Sequence, residues 1–335
     1  MNNPHLPAEH PPIKTPKIGV LLINLGTPDA PTPKAVKRYL KEFLSDQRVV
    51  ELPKILWQPI LRGIILNTRP KKSAAAYAKV WTPDGSPLAF HTKAQASLLN
   101  DIFGDDIMVD YAMRYGNPSI EKQITKLKNA GCSRIFFAPM YPQYSGATTA
   151  TVHDKAYQIF SKMRWQPAVR SLPPYYDDPL HIDALKKSIE KGLKTLDFEP
   201  DAIMISFHGM PERTLELGDP YHCHCQKTAR LLSEAMGREL TLSFQSRFGK
   251  AKWLEPATDT TLERLAKEGK SKIAIFAPGF AVDCVETLEE LCIEGKEIFM
   301  EAGGEKFAYI PCLNTSDEGM TMLEAIIKRE LSGWL

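Results

Sequence analysis

Two stretches of this chain carry the same landmarks in the same order. Arg114-Tyr115-Gly116 ends an apolar run, and after a helical pattern come Gly131, Ser133, Arg134, Ile135 and Phe137-Ala138-Pro139. Arg247-Phe248-Gly249 ends another, followed by Gly269, Ser271, Lys272, Ile273 and Phe276-Ala277-Pro278. Earlier strand ends match too, Gly26-Thr27-Pro28 against Gly209-Met210-Pro211. A repeated strand–turn–helix unit constrains the fold more than any single motif, because each copy must bury the same apolar faces. Two related α/β domains facing one another satisfy it, with both sets of strand ends around one cleft. The first copy carries an insertion between its first two landmarks, built from the Leu/Ile-rich stretch 52–70 and its neighbours.

Periodicity fills in the rest. Strand-length apolar runs occupy 17–24, 107–113, 133–138, 165–170, 203–207, 240–245, 272–277 and 307–310. Helical spacing marks 33–44, 74–80, 91–103, 119–129, 149–162, 178–194, 221–236, 257–268, 283–301 and 317–332. Strands alternating with helices predict a parallel sheet wound on both faces. The 52–70 stretch is interrupted by Pro59 and closed by Thr68-Arg69-Pro70, so a helix is expected only from Ala74.

The 335 residues, 43% hydrophobic and 24% charged, are enough for one large or two medium cores. A net charge of +2 gives no reason to expect a nucleic-acid partner. No apolar run approaches the roughly 20 residues that span a bilayer. The Pro-rich start, residues 1–16, reads as a disordered tail and not as a targeting segment. Six scattered cysteines do not form a secreted disulfide framework. A cytoplasmic protein is the expectation.

His208 ends the 203–207 strand and is followed by Gly209, Met210 and Pro211, where open α/β sheets place their ligand chemistry. Its counterpart in the other copy is Leu25, so the histidine belongs to one domain and not to the shared scaffold. Alone, it is equally a residue that caps a strand. Asp283, Glu286 and Glu290 lie three and four apart. On an α-helix over 283–301 they would share one face and repel by a few tenths of a kcal/mol per pair. A solvated acidic helix start explains them as well, but a histidine facing such a row can pass protons and hold a divalent metal. His222, Cys223, His224 and Cys225 are metal-ligand types without a second pair at zinc-finger spacing. Cys132 and Cys312 read as small buried hydrophobes. Arg114 and Arg247 end strands and suit a carboxylate, and Tyr115, Tyr141, Tyr144 and Trp253 add aromatic surface. Together these residues describe a cleft for a flat, apolar, carboxylate-bearing ligand and a divalent metal.

The stretches ISFHGMPERTLELGDPY, TLSFQSRFGKAKWLEP and PGFAVDCVETLEEL, with LLINLGTP, AMRYGNPSI and APMYPQYSGATT, resemble the ferrochelatases over roughly residues 17–330. The resemblance implies two similar Rossmann-like, chelatase-type domains, each a four-stranded parallel sheet flanked by helices, with the active-site cleft between them. It implies insertion of ferrous iron into protoporphyrin IX with loss of two pyrrole protons. His208 would be metal ligand and proton acceptor, Glu286 its partner, and Asp283 and Glu290 an acidic relay. Leu25, Arg114, Tyr115, Tyr141 and Trp253 would meet the porphyrin. Residues 54–66 resemble a lip over the cleft, a contact for a membrane surface or an upstream oxidase. The implied layout is a first domain over 17–165 with the lip insertion at about 45–90, a second over 166–315, and a C-terminal helix over 316–335 packed on the body. Some relatives hold an iron–sulfur cluster on C-terminal cysteines. This chain has no cysteine after Cys312 and has Gly146 at a cluster-cysteine position, so no permanently bound cofactor is expected and iron is a substrate. Cobalt, nickel or coproporphyrin chelation, and a porphyrin or haem carrier without turnover, are the alternatives. A carrier has no use for a proton-accepting row.

Overall fold

The computed structural model describes residues 7, 9, 10, 14–249 and 251–335, so most of the 1–16 tail lies outside the described residues. The first half runs β1 (Lys17–Thr27), α1 (Pro33–Phe43), α2 (Lys54–Ile60), α3 (Leu66–Val80), α4 (Pro87–Phe103), β2 (Ile107–Gly116), α5 (Ile120–Asn129), β3 (Cys132–Pro139), α6 (Thr149–Phe160) and β4 (Ala168–Ser171). Helix α7 (Pro179–Lys194) leads to β5 (Ala202–His208), α8 (Glu212–Glu216), α9 (Tyr221–Met236), β6 (Thr241–Gln245), α10 (Thr258–Lys267), β7 (Lys272–Phe276), α11 (Lys296–Glu301), β8 (Lys306–Tyr309) and α12 (Asp317–Glu330).

The strands form two four-stranded sheets of identical order, β2-β1-β3-β4 and β6-β5-β7-β8. Every pairing is parallel. The central strands β1 and β5 are apolar on both faces, as strands covered by helices on both sides must be. The shared order explains the sequence repeat, and its glycines have a steric reason. A Cβ at Gly26 would sit 1.8 Å from the Tyr115 carbonyl oxygen of β2, and one at Gly209 would sit 2.5 Å from the Gln245 carbonyl oxygen of β6. In both copies the chain leaving the central strand presses on the neighbouring strand's backbone, and only glycine fits.

One core joins the two sheets. Val20, Leu22 and Phe136 of the first lie in the same cluster as Ile205, Phe207 and Phe276 of the second, with Leu185 and Ile189 of α7 and Ile326 and Ile327 of α12. The opposite faces have separate cores around Leu21, Ile23 and Phe137, and around Met204, Ile275 and Phe299. Side chains of Thr32, Ser119, Asp178 and Ser316 cap α1, α5, α7 and α12, contacts typically worth about 1 kcal/mol each.

Three expectations change. β4 pairs with β3, so the first sheet runs to Ser171 and a domain boundary at 165 would cut it. The insertion does not break at its prolines: α2, a π-helical turn at Leu61–Ile65 and α3 run on continuously, with Pro59 and Pro70 inside. Asn67 Nδ2 donates to the Arg62 and Gly63 carbonyls and Thr68 Oγ1 to that of Ile64, which satisfies backbone acceptors where the turn widens. The 283–301 segment is no plain α-helix either. Glu286–Gly295 is π-helical and leads into α11, and Asp283 lies before it.

Candidate active site

In a sheet ordered 2-1-3-4 the connections leave the central strand in opposite directions, and the crevice at that switch lies beyond the carboxyl ends of the central strand and its third neighbour. In the second sheet those are β5 and β7. His208 ends β5, and the loop after β7 leads into the π-helix that begins at Glu286. In the first sheet the same positions place Leu25 near the end of β1 and Tyr141 just after β3. Topology therefore brings the histidine and the acidic segment together although 78 positions separate residues 208 and 286.

His208 is half-buried, and its Nδ1 lies 2.7 Å from the Gly209 carbonyl oxygen. A carbonyl only accepts, so Nδ1 carries the proton and Nε2 keeps its lone pair for a metal or a proton. The Tyr221 hydroxyl donates to the His208 carbonyl at 2.9 Å and fixes the strand end from α9.

In register beside His208 on the neighbouring strand is Gln245. Its Nε2 donates to the Glu286 carbonyl at 2.7 Å and to Glu290 Oε2 at 3.4 Å. Ser246 follows with φ of 66°, a left-handed conformation uncommon for serine, and its hydroxyl donates to Glu290. Burial is the main reason that the Glu290 carboxyl is pushed up to about 7. The neighbouring Glu286 charge adds to this, and the bonds from Ser246 and Gln245 oppose it. Glu290 thus holds or releases a proton near neutrality. From the first domain, Tyr39 and Tyr77 approach the same place. Burial raises both hydroxyls well above the ordinary tyrosine value, and the Glu286 charge contributes. Lys79 of α3 pairs with Glu289 at 2.8 Å, which fastens the insertion to the π-helix.

Asp283 does not join Glu286 and Glu290 in one row. It is buried, and Thr287, Tyr309, Asn314 and the Cys312 amide all donate to its carboxylate. With its oxygens so occupied, it anchors the turn entering the π-helix. Arg114, expected to hold a ligand carboxylate, already holds one: its guanidinium pairs with Asp46 and its Nε donates to the Thr151 carbonyl at 2.8 Å. Tyr115 was expected at the cleft wall but is enclosed. Its hydroxyl donates to Asp46 at 3.0 Å, the Arg114 guanidinium lies 4.3 Å from its ring centroid, and Phe43 packs edge-on. Leu25 is half-buried and packs in a cluster that includes Val285, next to Glu286. The Tyr141 hydroxyl is buried with no protein partner among the described residues. Trp253 packs on Phe248 with centroids 4.7 Å apart and lies over the turn after His208, bridged to Pro211. Arg247 pairs with Asp259 at the surface.

The four-residue run at 222–225 is not gathered. His224 stacks on Tyr176 and accepts from the Tyr144 amide, Cys225 is buried, Cys223 is exposed, and His222 faces Gln226. Among the described residues no three His, Cys, Asp or Glu side chains converge to hold a metal. Gln245, Ser246, Tyr309 and Asn314 were not singled out from the sequence. Only the RFG landmark beside Gln245 and Ser246 marked that turn, and nothing marked the others. On the insertion, Ile55, Leu56, Ile60 and Ile64 project into solvent, Ile55 being 83% exposed. Among the described residues no helix is long and apolar enough to cross a membrane.

A family model described as ferrochelatase matches residues 17–331. A ferrochelatase of Rhizobium meliloti is 55% identical over 334 residues, covering 98% of each chain. One of Allorhizobium ampelinum is 53% identical, covering 99% of this chain and 98% of its own. Among solved structures, SirB from Bacillus subtilis with Fe3+ aligns over 95% of this chain and 97% of its own, with a TM-score of 0.55 at 11% identity. That likeness extends to the fold.

Proposed function

The chain belongs to the ferrochelatase family and inserts iron into a porphyrin to make haem, and from there we propose that the porphyrin is protoporphyrin IX, the metal ferrous, and His208 with Glu286 the reacting pair. The observation that carries this reading is the orientation of His208. With Nδ1 committed to the Gly209 carbonyl, Nε2 is the free base in the crevice. Ferrous iron accepts imidazole nitrogen and carboxylate oxygen. Two protein ligands suit a metal that must be handed on, because the macrocycle supplies its own four nitrogens. Two pyrrole protons leave as the metal enters. His208 takes one from the ring and Glu286 takes the other, passing it toward Glu290, whose environment keeps it ready to accept near pH 7. The flat macrocycle must bend for its lone pairs to reach the metal, so part of its binding energy is used for distortion. Asp283, Gln245 and Ser246 position the π-helix. Steady-state assays of protoporphyrin and coproporphyrin against ferrous iron test the substrate. A clear preference for coproporphyrin would overturn the assignment.

Glu290 carries a pH signature. Because it accepts protons only when ionised, turnover should fall as pH drops through about 7, with Glu290→Gln removing that limb. Wild-type and variant rates should converge at low pH, where the native carboxyl is itself protonated, and diverge above neutrality. A variant that keeps the limb in place would show that another group titrates.

The proposed reaction calls for no resident iron–sulfur centre. Side chains at 222–225 diverge, and the Gly146 amide donates to Asp219, which supports this reading. Stoichiometric sulfide in anaerobically purified protein would contradict this. The exposed Ile55, Leu56, Ile60 and Ile64 form a lip that rests on a lipid surface. Co-sedimentation with phospholipid vesicles should be lost in Ile55→Asp/Leu56→Asp, and a wild-type protein that stays in the supernatant would reject the contact.

A further inference from the structure

Away from the crevice, where α4, α7 and α12 meet the loops after β3, β4, β7 and β8, lies an enclosed cavity of about 10 Å³. Its wall is mostly apolar, with Leu313, Met322 and Leu323 among the lining. Three polar side chains also line it: Gln95 of α4, Tyr175 of the loop after β4, and His181 in the first turn of α7. All three are at least 97% buried, at 1%, 3% and 2% exposure. None has its polar capacity met by protein. The Tyr175 hydroxyl, both His181 ring nitrogens and Gln95 Oε1 lack a partner among the described residues. The orientation of Gln95 is fixed from its other end, because its Nε2 donates to the Asn314 carbonyl at 2.6 Å and this leaves the oxygen toward the cavity. The two rings meet edge to face with centroids 5.2 Å apart, which holds the tyrosine and histidine in place.

Buried polar groups left dry are costly, and a cavity of roughly 10–15 Å³ with two to four polar partners is what one water requires. We propose that this cavity is a hydration site, in which one water accepts from the Tyr175 hydroxyl and donates to Gln95 Oε1 and to a His181 ring nitrogen. The water's own count closes, with one bond accepted and two donated, leaving the other His181 ring nitrogen without a bond to it. Tyrosine has a hydroxyl proton to give, and the amide oxygen accepts. Burial also pushes the imidazole down to about 4, so at neutral pH it is uncharged and keeps one accepting nitrogen. The water pins three elements where the two sheets' shared core comes together. A chain of bonds runs from it toward the crevice: Gln95 donates to the Asn314 carbonyl, and the Asn314 side chain bonds the amide and carboxylate of Asp283, which anchors the turn into the π-helix.

A crystal structure of the full chain at a resolution that orders internal solvent should show a single density peak within hydrogen-bonding distance of Tyr175, His181 and Gln95. Tyr175→Phe gives an independent readout whose sign separates the alternatives. With the water present, the substitution removes one of its partners and lowers the melting temperature. In a dry cavity it removes a hydroxyl that had no partner, and the melting temperature stays or rises. An empty cavity in the crystal, or a Tyr175→Phe protein at least as heat-stable as the parent, overturns the proposal. Should the variant fail to fold, the density in the unaltered protein decides.

Discussion

Replacing His208 with alanine should abolish iron insertion while porphyrin still binds. The single free lone pair on Nε2 is assigned two tasks in succession, ligand to the entering metal and, once the metal has passed to the ring, acceptor of a pyrrole proton. A general base alone typically contributes 10²–10⁴-fold. The fold should survive, because the side chain bonds only the adjacent Gly209 carbonyl, and the contact that holds the strand end, from Tyr221, is made to backbone. Porphyrin binding can be followed by fluorescence and chelation by loss of the free-base spectrum. Near-normal insertion of ferrous iron by the variant would show that the mechanism assigned here is wrong.

Glu286→Gln should cut turnover by more than tenfold, which is more than about 1.4 kcal/mol of barrier. The substitution keeps size and leaves the backbone carbonyl that accepts from Gln245. What it removes is a charge, and that has a second consequence. Part of what raises the Glu290 carboxyl is repulsion from Glu286. Once Glu286 is neutral, Glu290 ionises more readily and the acid limb of the pH profile should move below 7. A slower enzyme with an unmoved limb would mean that the two carboxylates do not communicate. An unchanged rate would take Glu286 out of the site.

Much of the architecture was legible in the residues. The two copies of the Arg-aromatic-Gly and Phe-Ala-Pro landmarks predicted two like domains, and both sheets have the same strand order. Gly26 and Gly209 recur because each copy makes the same backbone crossing. Helix 221–236 was read to its ends, where an aromatic start and a terminal glycine with left-handed φ define it. The insertion was misread because proline is a poor guide where a π turn and side-chain donors compensate for it. The acidic segment was misread because i, i+3 and i+4 spacing says nothing about whether backbone bonds close on the fourth or the fifth residue.

The candidacy of His208 and of the acidic residues, and the repeated scaffold that carries them, were legible in the sequence, because strand ends, periodicity and residue chemistry are local properties. Which acid is an anchor and which titrates near neutrality was decided only by tertiary structure. Asp283 is occupied by donors from Tyr309, Cys312 and Asn314, and Glu290 is raised by burial beside Glu286. Arg114 and Tyr115 follow the same rule: their partner Asp46 is some seventy positions away in the chain. A carboxylate's role depends on which donors and charges the fold brings to it, and those come from segments that no local pattern connects.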